Sequence, residues 1–277
     1  MTLASLSEVL NPARKGGYAV GGLVVLGWED ARAFVRAGEA EGLPVILQAG
    51  PACRKHTPLS VLGEMFKILG KNAGIPVVAH LDHGNSLEEC REAIECGFTS
   101  VMFDGSRNVI SENIDQTAVV AEMAHAYDVS CEGEIGFVGY DGGEDSARTD
   151  PEEAARFARE TKVDALAVSV GNVHLQQRKA AKIDFDAVRA IESATSVPLV
   201  IHGGSGIDAS TRRKLARTTA VSKFNIGTEL RMAFGNSLRA AVNLDRERFD
   251  RIQLLSETEK PVEVAAREII RSFGPGG

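Results

Sequence analysis

At 277 residues, with 44% hydrophobic and 25% charged side chains, the chain has the balance of a soluble globular protein and the length of one large barrel. A net charge of −7 excludes a nucleic-acid binder, which needs a basic face to displace counterions from phosphates. It leaves room for a small anionic substrate held by a few cations or backbone amides.

Nothing in the sequence approaches the roughly 18 uninterrupted apolar residues of a spanning helix, and residues 1–15 carry no signal-type apolar run. Cys53, Cys90, Cys96 and Cys131 form no C-x-x-C pair and are too sparse for a disulfide framework. These features predict a cytoplasmic protein with no membrane partner.

In chain order, β-rich apolar runs fall at 18–25, 44–48, 75–81, 100–103, 129–134, 165–170, 199–202 and 221–226. Amphipathic helical patterns lie between and after them, at 29–40, 59–72, 87–95, 113–127, 151–161, 185–194, 209–218 and 228–243. Asp150-Pro151-Glu152-Glu153 supplies a cap, a first-turn proline and two first-turn acids, and Ser86 and Asn113 are candidate caps. Eight strands, each followed by a helix, predict an α/β fold of the (β/α)₈ TIM-barrel type. The first strand runs into Val24-Val25-Leu26-Gly27 without a G-x-G-x-x-G turn, which argues against a dinucleotide-binding open sheet. No linker or composition shift divides residues 1–277, so one domain is expected. The charged segment 246–273, interrupted by Pro261, is expected to pack outside the barrel as an extra C-terminal helical segment, at a subunit contact.

Active sites of such barrels lie at the C-terminal ends of the strands. Here those ends carry Asp82-His83, Asp104, Glu132 with Glu134, Asn172 with His174, His202 and Asn225. Three of the six histidines therefore face one mouth. Three imidazoles with a carboxylate in reach are what a catalytic zinc site with an open position requires. His56 and His125, in helix or loop context, are read as non-functional, and His80, inside the third strand, as a packed residue behind the ligands.

Two glycine-bearing loops follow the last strands: His202-Gly203-Gly204-Ser205-Gly206 and Asn225-Ile226-Gly227-Thr228. Barrels often hold a phosphate there on exposed backbone amides and a helix start. The loop 136–145 carries four glycines and is a candidate lid able to deliver a carboxylate for proton transfer.

The run Val78-Ala79-His80-Leu81-Asp82-His83-Gly84, followed by Val101-Met102-Phe103-Asp104-Gly105-Ser106, Glu132-Gly133-Glu134-Ile135-Gly136, Gly171-Asn172-Val173-His174, His202-Gly203-Gly204-Ser205-Gly206 and Asn225-Ile226-Gly227-Thr228, resembles the class II fructose-bisphosphate aldolase family, tagatose-bisphosphate aldolases included. The resemblance spans nearly the whole chain, in order. It implies that His83, His174 and His202 bind a catalytic Zn²⁺ or another divalent metal, with Glu134 an alternate ligand and Asp104 near a second cation position. Asp82 resembles the base that takes the hydroxyl proton as the carbon–carbon bond breaks. Glu144, or Asp145 one residue on, resembles the group that exchanges a proton with the enediolate carbon. Gly203, Gly204, Ser205, Asn225, Gly227 and Thr228 resemble the groups around dihydroxyacetone phosphate, with a monovalent cation beside the phosphate. A homodimer or homotetramer acting on a small phosphorylated sugar is implied as well.

The chemistry points the same way, because aldol cleavage leaves an enediolate that a metal can hold at both oxygens without a Schiff-base lysine. The nearest lysine, Lys223, lies inside strand eight and is expected to point to packing or the outer helices.

Three positions depart from the family pattern, all on the substrate side: Leu23-Val24 for Phe-Asn, Gly50 for a serine, and Leu175 for the glycine after the metal histidine. Arg178, Lys179 and Lys182 follow and are candidates to meet an anionic group. Two alternatives remain: a metal-dependent lyase or epimerase on a substrate lacking dihydroxyacetone phosphate, or a non-catalytic barrel subunit.

Overall fold

In the computed structural model, which describes residues 3–275, the eight expected strands form one closed parallel barrel, each hydrogen-bonded to its sequence neighbours and the last to the first. The strands are β1 (Val20–Val24), β2 (Val45–Ala49), β3 (Val77–Gly84), β4 (Ser100–Phe103), β5 (Ser130–Ile135), β6 (Ala165–Val168), β7 (Leu199–Ile201) and β8 (Val221–Ile226). The (β/α)₈ expectation is met. Most strand residues are buried on both faces, which is why the runs read as continuously apolar rather than alternating.

Helices α2 (Trp28–Glu41), α4 (Leu59–Asn72), α5 (Leu87–Glu95), α6 (Ile110–His125), α7 (Pro151–Thr161), α8 (Phe185–Ala194), α9 (Ala209–Thr218) and α10 (Thr228–Leu244) surround the barrel, with a short α3 (Pro51–His56) ahead of α4. The starts at Ser86 and Asp150 are capped as expected, each side chain accepting first-turn amides. Asn113 is not a cap. Helix α6 starts three residues before it, and Asn113 is buried, its Nδ2 donating to the Glu134 carbonyl at 2.9 Å. The same appetite for backbone partners that makes asparagine a cap is spent here on the end of β5.

An unpredicted helix, α1 (Leu6–Gly16), opens the described chain. Ser5 and Glu8 form a reciprocal capping box, and Leu6, Val9, Leu10 and Ala13 pack on Val20, Ile46, Val78, Ala165, Ala167 and Val200. The helix thereby plugs the N-terminal end of the barrel, opposite the mouth.

Pro261 does not interrupt the C-terminal segment. It lies within one continuous helix, α11 (Arg251–Phe273), packed chiefly against α2 and α10. Proline removes a single helical hydrogen bond. Against that stand the buried Val262, Ile269, Ile270 and Phe273, each contributing about 1.5–3 kcal/mol by burial. Glu259 pairs with Arg32 and Arg36, and Glu41 with Arg267 and Arg271, tying α11 to α2. Among the described residues no helix is long and apolar enough to cross a membrane.

Candidate active site and metal centre

The strand ends converge on a cavity of about 420 Å³ at the C-terminal mouth. Its lining includes Asp82, His83, Asp104, Glu134, His174, Gly203, Ser205, Asn225, Gly227 and Thr228, gathered from six strand ends. Gly204 sits just behind the wall, its carbonyl accepting from Arg212. His202 is wholly buried at the cavity floor.

The rings of His83, His174 and His202 lie 4.8 to 5.7 Å apart, centroid to centroid, and one nitrogen of each falls within 4.8 Å of the others. A second set of the same kind joins His83, Asp104 and Glu134. His83 Nδ1 donates to Asp104 Oδ2 at 2.7 Å, which leaves its Nε2 as the free nitrogen. Asp104 is itself held by Ser106, whose hydroxyl donates to Oδ1 at 2.6 Å. His83 has a left-handed backbone, φ 53°, and Arg54 clamps that turn by donating to the Asp82 and His83 carbonyls at 2.6 and 2.9 Å.

Among the buried side-chain atoms without a hydrogen-bond partner are His202 Nδ1 and Glu134 Oε2, which face each other at 3.2 Å. Orphaned buried atoms of this kind cost about 1–3 kcal/mol each unless something satisfies them. An imidazole nitrogen and a carboxylate oxygen share one natural partner, a cation. The site's electrostatics agree. Burial opposes charge on His202, yet Glu134 and Glu132 beside it outweigh burial and push its pKa up to about 10. Burial, with His202 and His83 as neighbours, pushes His174 down to about 3, keeping it a neutral donor. Asp82 is held below the usual carboxylate range although burial works the other way, by the positive charge of His83, His202 and Lys223. It is therefore an ionised base, and Asn225 Nδ2 donates to its Oδ1 at 3.1 Å. The donor set fits a divalent metal.

The candidate lid leaves β5 at Gly136 and returns through Ala147, which pairs with Phe137. From it Tyr140 stacks on His174, centroids 5.1 Å apart. Glu144 is at the exposed rim rather than in the cavity wall, paired at 2.8 Å with Arg107, whose guanidinium lies 4.1 Å over the Phe137 ring. Asp145 does not border the cavity either.

Lys223 corrects an expectation. It points into the barrel, not outward, and donates to Glu132 Oε2 at 2.6 Å. Strand parity explains the direction: Lys223 shares a face with Asn225 two residues on, which lines the mouth. His80 is a buried residue behind the ligands, as expected, 3.2 Å from Lys223 Nζ. His56 shares a hydrogen bond with the Thr57 hydroxyl, and His125 pairs with Asp164 at the far end of the barrel.

The three departures, Val24, Gly50 and Leu175, all border the cavity. Arg178, Lys179 and Lys182 do not; Lys179 braces the glycine loop by donating to the Ser205 carbonyl and pairing with Glu229. The cations that do line the cavity, Arg107 and Arg231, were not anticipated. Arg231 had a legible signal, since it lies three residues after Thr228 on the same helix face.

The fold and site define a TIM-barrel enzyme with a metal-ready histidine triad at its mouth. The comparisons specify which. The family model for class II fructose-bisphosphate aldolase matches residues 4–277. The chain is 38% identical to the 6-phospho-5-dehydro-2-deoxy-D-gluconate aldolase of Shouchella clausii, covering 99% of this chain and 95% of the relative. It is 36% identical to the fructose-bisphosphate aldolase of Staphylococcus aureus, over 99% and 98% of the two chains. The crystal structure of the YdjI aldolase from Escherichia coli K12 superposes with a TM-score of 0.86 at 32% identity, covering 99% of this chain and 98% of that one. The chain belongs to the class II fructose-bisphosphate aldolase family, whose members are aldehyde-lyases.

Proposed function

We propose that the chain is a zinc-dependent aldolase that cleaves a ketose phosphate to dihydroxyacetone phosphate and an aldehyde, and joins them in reverse. The observation that carries this reading is the pair of orphaned atoms, His202 Nδ1 and Glu134 Oε2, set among three convergent imidazoles beside an ionised Asp82. His83 through Nε2, His174, and His202 through Nδ1 would hold the metal, Glu134 serving as alternate ligand and Asp104 as orienting partner or second cation site. A bound divalent ion would act as Lewis acid on the ketose carbonyl and its hydroxyl neighbour.

The chain's own groups do the rest. Asp82, kept in place through Oδ1 by Asn225, offers Oδ2 to the hydroxyl proton of the bond that breaks. Gly203, Ser205, Gly227 and Thr228 surround a phosphate pocket at the start of α10, where the N-cap Gly227 has no side chain and the Ser205 hydroxyl accepts from the Glu229 amide at 3.3 Å; Gly204 supports them from behind. A monovalent cation beside that phosphate completes the reading. Glu144, with Asp145 as its neighbour, would leave Arg107 and turn inward for proton exchange at carbon, a lid motion. A Schiff base at Lys223 is disfavoured, because its amine is buried beneath the site and paired with Glu132.

The rim bears on the aldehyde half. Val24, Leu26 and Leu175 present apolar groups, Gly50 presents none, and the nearby charges are Arg107 and Arg231. Such walls favour an aldehyde poor in hydroxyls and ending in an anion. This resembles the deoxygluconate phosphate named for one relative more than fructose bisphosphate. Exposed Leu244, Phe249 and Ile252 at the α10–α11 corner support self-association as a homodimer or homotetramer, and four free thiols suit a cytoplasmic setting. We take residues 1–277 to act as one unit.

The test is hydrogen–deuterium exchange at the hydroxymethyl carbon of dihydroxyacetone phosphate in heavy water. Exchange that disappears on metal removal supports the proposal; none, in metal-loaded protein, sinks it and favours a substrate without that moiety.

A further inference from the structure

Below the candidate metal ligands the barrel holds an ion pair for which the reaction outlined above has no use. Glu132 on β5, Lys223 on β8, His80 on β3 and His202 after β7 are all 0% exposed. Lys223 Nζ donates to Glu132 Oε2 at 2.6 Å and lies 3.2 Å from His80 Nε2, and His80 Nδ1 meets the Ser100 hydroxyl at 2.8 Å. The other carboxylate oxygen, Glu132 Oε1, accepts from His202 Nε2 at 3.1 Å.

Barrel interiors are ordinarily filled with layers of branched apolar side chains. A buried ion pair in their place seldom adds net stability, because desolvation of two charges offsets their attraction. Its members here are bonded to one another and to Ser100, whereas His202 Nδ1 has no hydrogen-bond partner and faces Glu134 at the cavity floor. In a neutral imidazole, an Nε2–H tied down from one side leaves the lone pair at Nδ1 on the other.

We infer that Glu132 and Lys223 are a positioning pair for the metal ligand His202. Glu132 fixes the ring's tautomer and tilt from below, so that Nδ1 meets the metal. Lys223 supplies the buried counter-charge that lets a carboxylate stay there, and is no nucleophile. Asp104 does the equivalent for His83 at 2.7 Å but is partly exposed and needs no buried cation. The inference rests on the metal reading of the site.

Two double variants separate positioning from mere packing. Glu132→Met with Lys223→Met replaces the pair by apolar groups of similar length and removes the acceptor for His202. Glu132→Gln with Lys223→Met removes both charges but keeps an acceptor. Affinity for Zn²⁺ and Co²⁺ is read by chelator competition, the cobalt site by its visible spectrum, and packing by thermal unfolding of the metal-free proteins. The methionine pair should lose about 10–100-fold in metal affinity, with an altered cobalt spectrum, while its metal-free form unfolds near the wild-type temperature. The glutamine variant should recover affinity to within a few-fold of wild type. Wild-type affinity and spectrum in the methionine pair would overturn the inference. Should that variant fail to fold, nitrogen-15 spectra of the zinc-loaded wild type decide: a slowly exchanging proton on His202 Nε2 supports positioning, and a proton on Nδ1 overturns it. Failure of the wild type to bind either metal would instead remove the aldolase reading itself.

Discussion

Gly203 is where one added methyl group should damage two proposed metal ligands together. Its φ of +64° lies in the left-handed region, where a side chain costs about 1–2 kcal/mol. A Cβ there would overlap the Val173 carbonyl oxygen, stand 2.6 Å from the carbonyl carbon and reach within 3.1 Å of the His174 amide nitrogen. Ordinary carbon contacts need about 3.5 Å, so the Val173 carbonyl, and with it the Val173–His174 backbone, must retreat by roughly 1 Å. His174 moves with its own backbone, and His202 precedes the substituted residue. Misplacement of a catalytic group by about 1 Å costs on the order of 10²-fold in rate. Gly203→Ala should therefore lower kcat about 100-fold, weaken metal binding at least 10-fold and destabilise by about 2–4 kcal/mol.

Gly42→Ala is the matched control: its φ is +65°, yet nothing lies within 4 Å of the added Cβ. It should show the dihedral cost alone, with metal affinity and kcat intact. Chelator competition, steady-state kinetics and urea unfolding on both variants give the comparison. If Gly203→Ala binds metal as wild type does and loses no more stability than Gly42→Ala, the reasoning fails.

Leu175 carries the opposite strain, a half-exposed leucine at φ +60°, so Leu175→Gly should relieve about 1–2 kcal/mol while paying back about 0.5–1 kcal/mol in backbone entropy. A melting temperature unchanged or raised, with lower KM for bulkier ketose phosphates, is expected; a fall of several degrees would contradict it. Burial raises the Asp30 pKa from 3.8 to about 6, so the folded state binds its proton more tightly than the unfolded state does. Stability from this group is then full below pH 3.8 and lost as pH rises through 6, and Asp30→Asn should gain about 1–3 kcal/mol at pH 8 and almost nothing at pH 4. Equal gains at both pH values would refute this. Stripping the metal should lower the unfolding temperature, the stability lost growing with the logarithm of metal concentration over Kd and reaching about 4 kcal/mol at a thousand times Kd, since the orphaned His202 and Glu134 atoms lose their partner. Identical scans with and without chelator would count against a metal at this site.

The barrel and most of its mouth were legible in the chain. Strand runs and helical patterns alternate locally, five of the predicted helices have the observed bounds, and Asp82, His83 and Asn225 sit at strand ends, with His174 in the loop after β6. Even the capping box at Ser5–Glu8 was legible, though helix α1 was not predicted. Choices that depend on partners far along the chain needed the closed barrel. Asn113 is a plausible cap by type and a brace for the Glu134 carbonyl by contact. Pro261, itself exposed, stays inside a helix whose buried residues pack against α2 and α10. Arg54 reaches the Asp82 and His83 carbonyls, 28 and 29 residues away, and Lys223 meets Glu132 across 91 residues. Propensity and periodicity act over a few residues, whereas buried charge is settled by which strand lies across the barrel. The chemistry-bearing types could therefore be read from the chain, and their supports only from the closed fold.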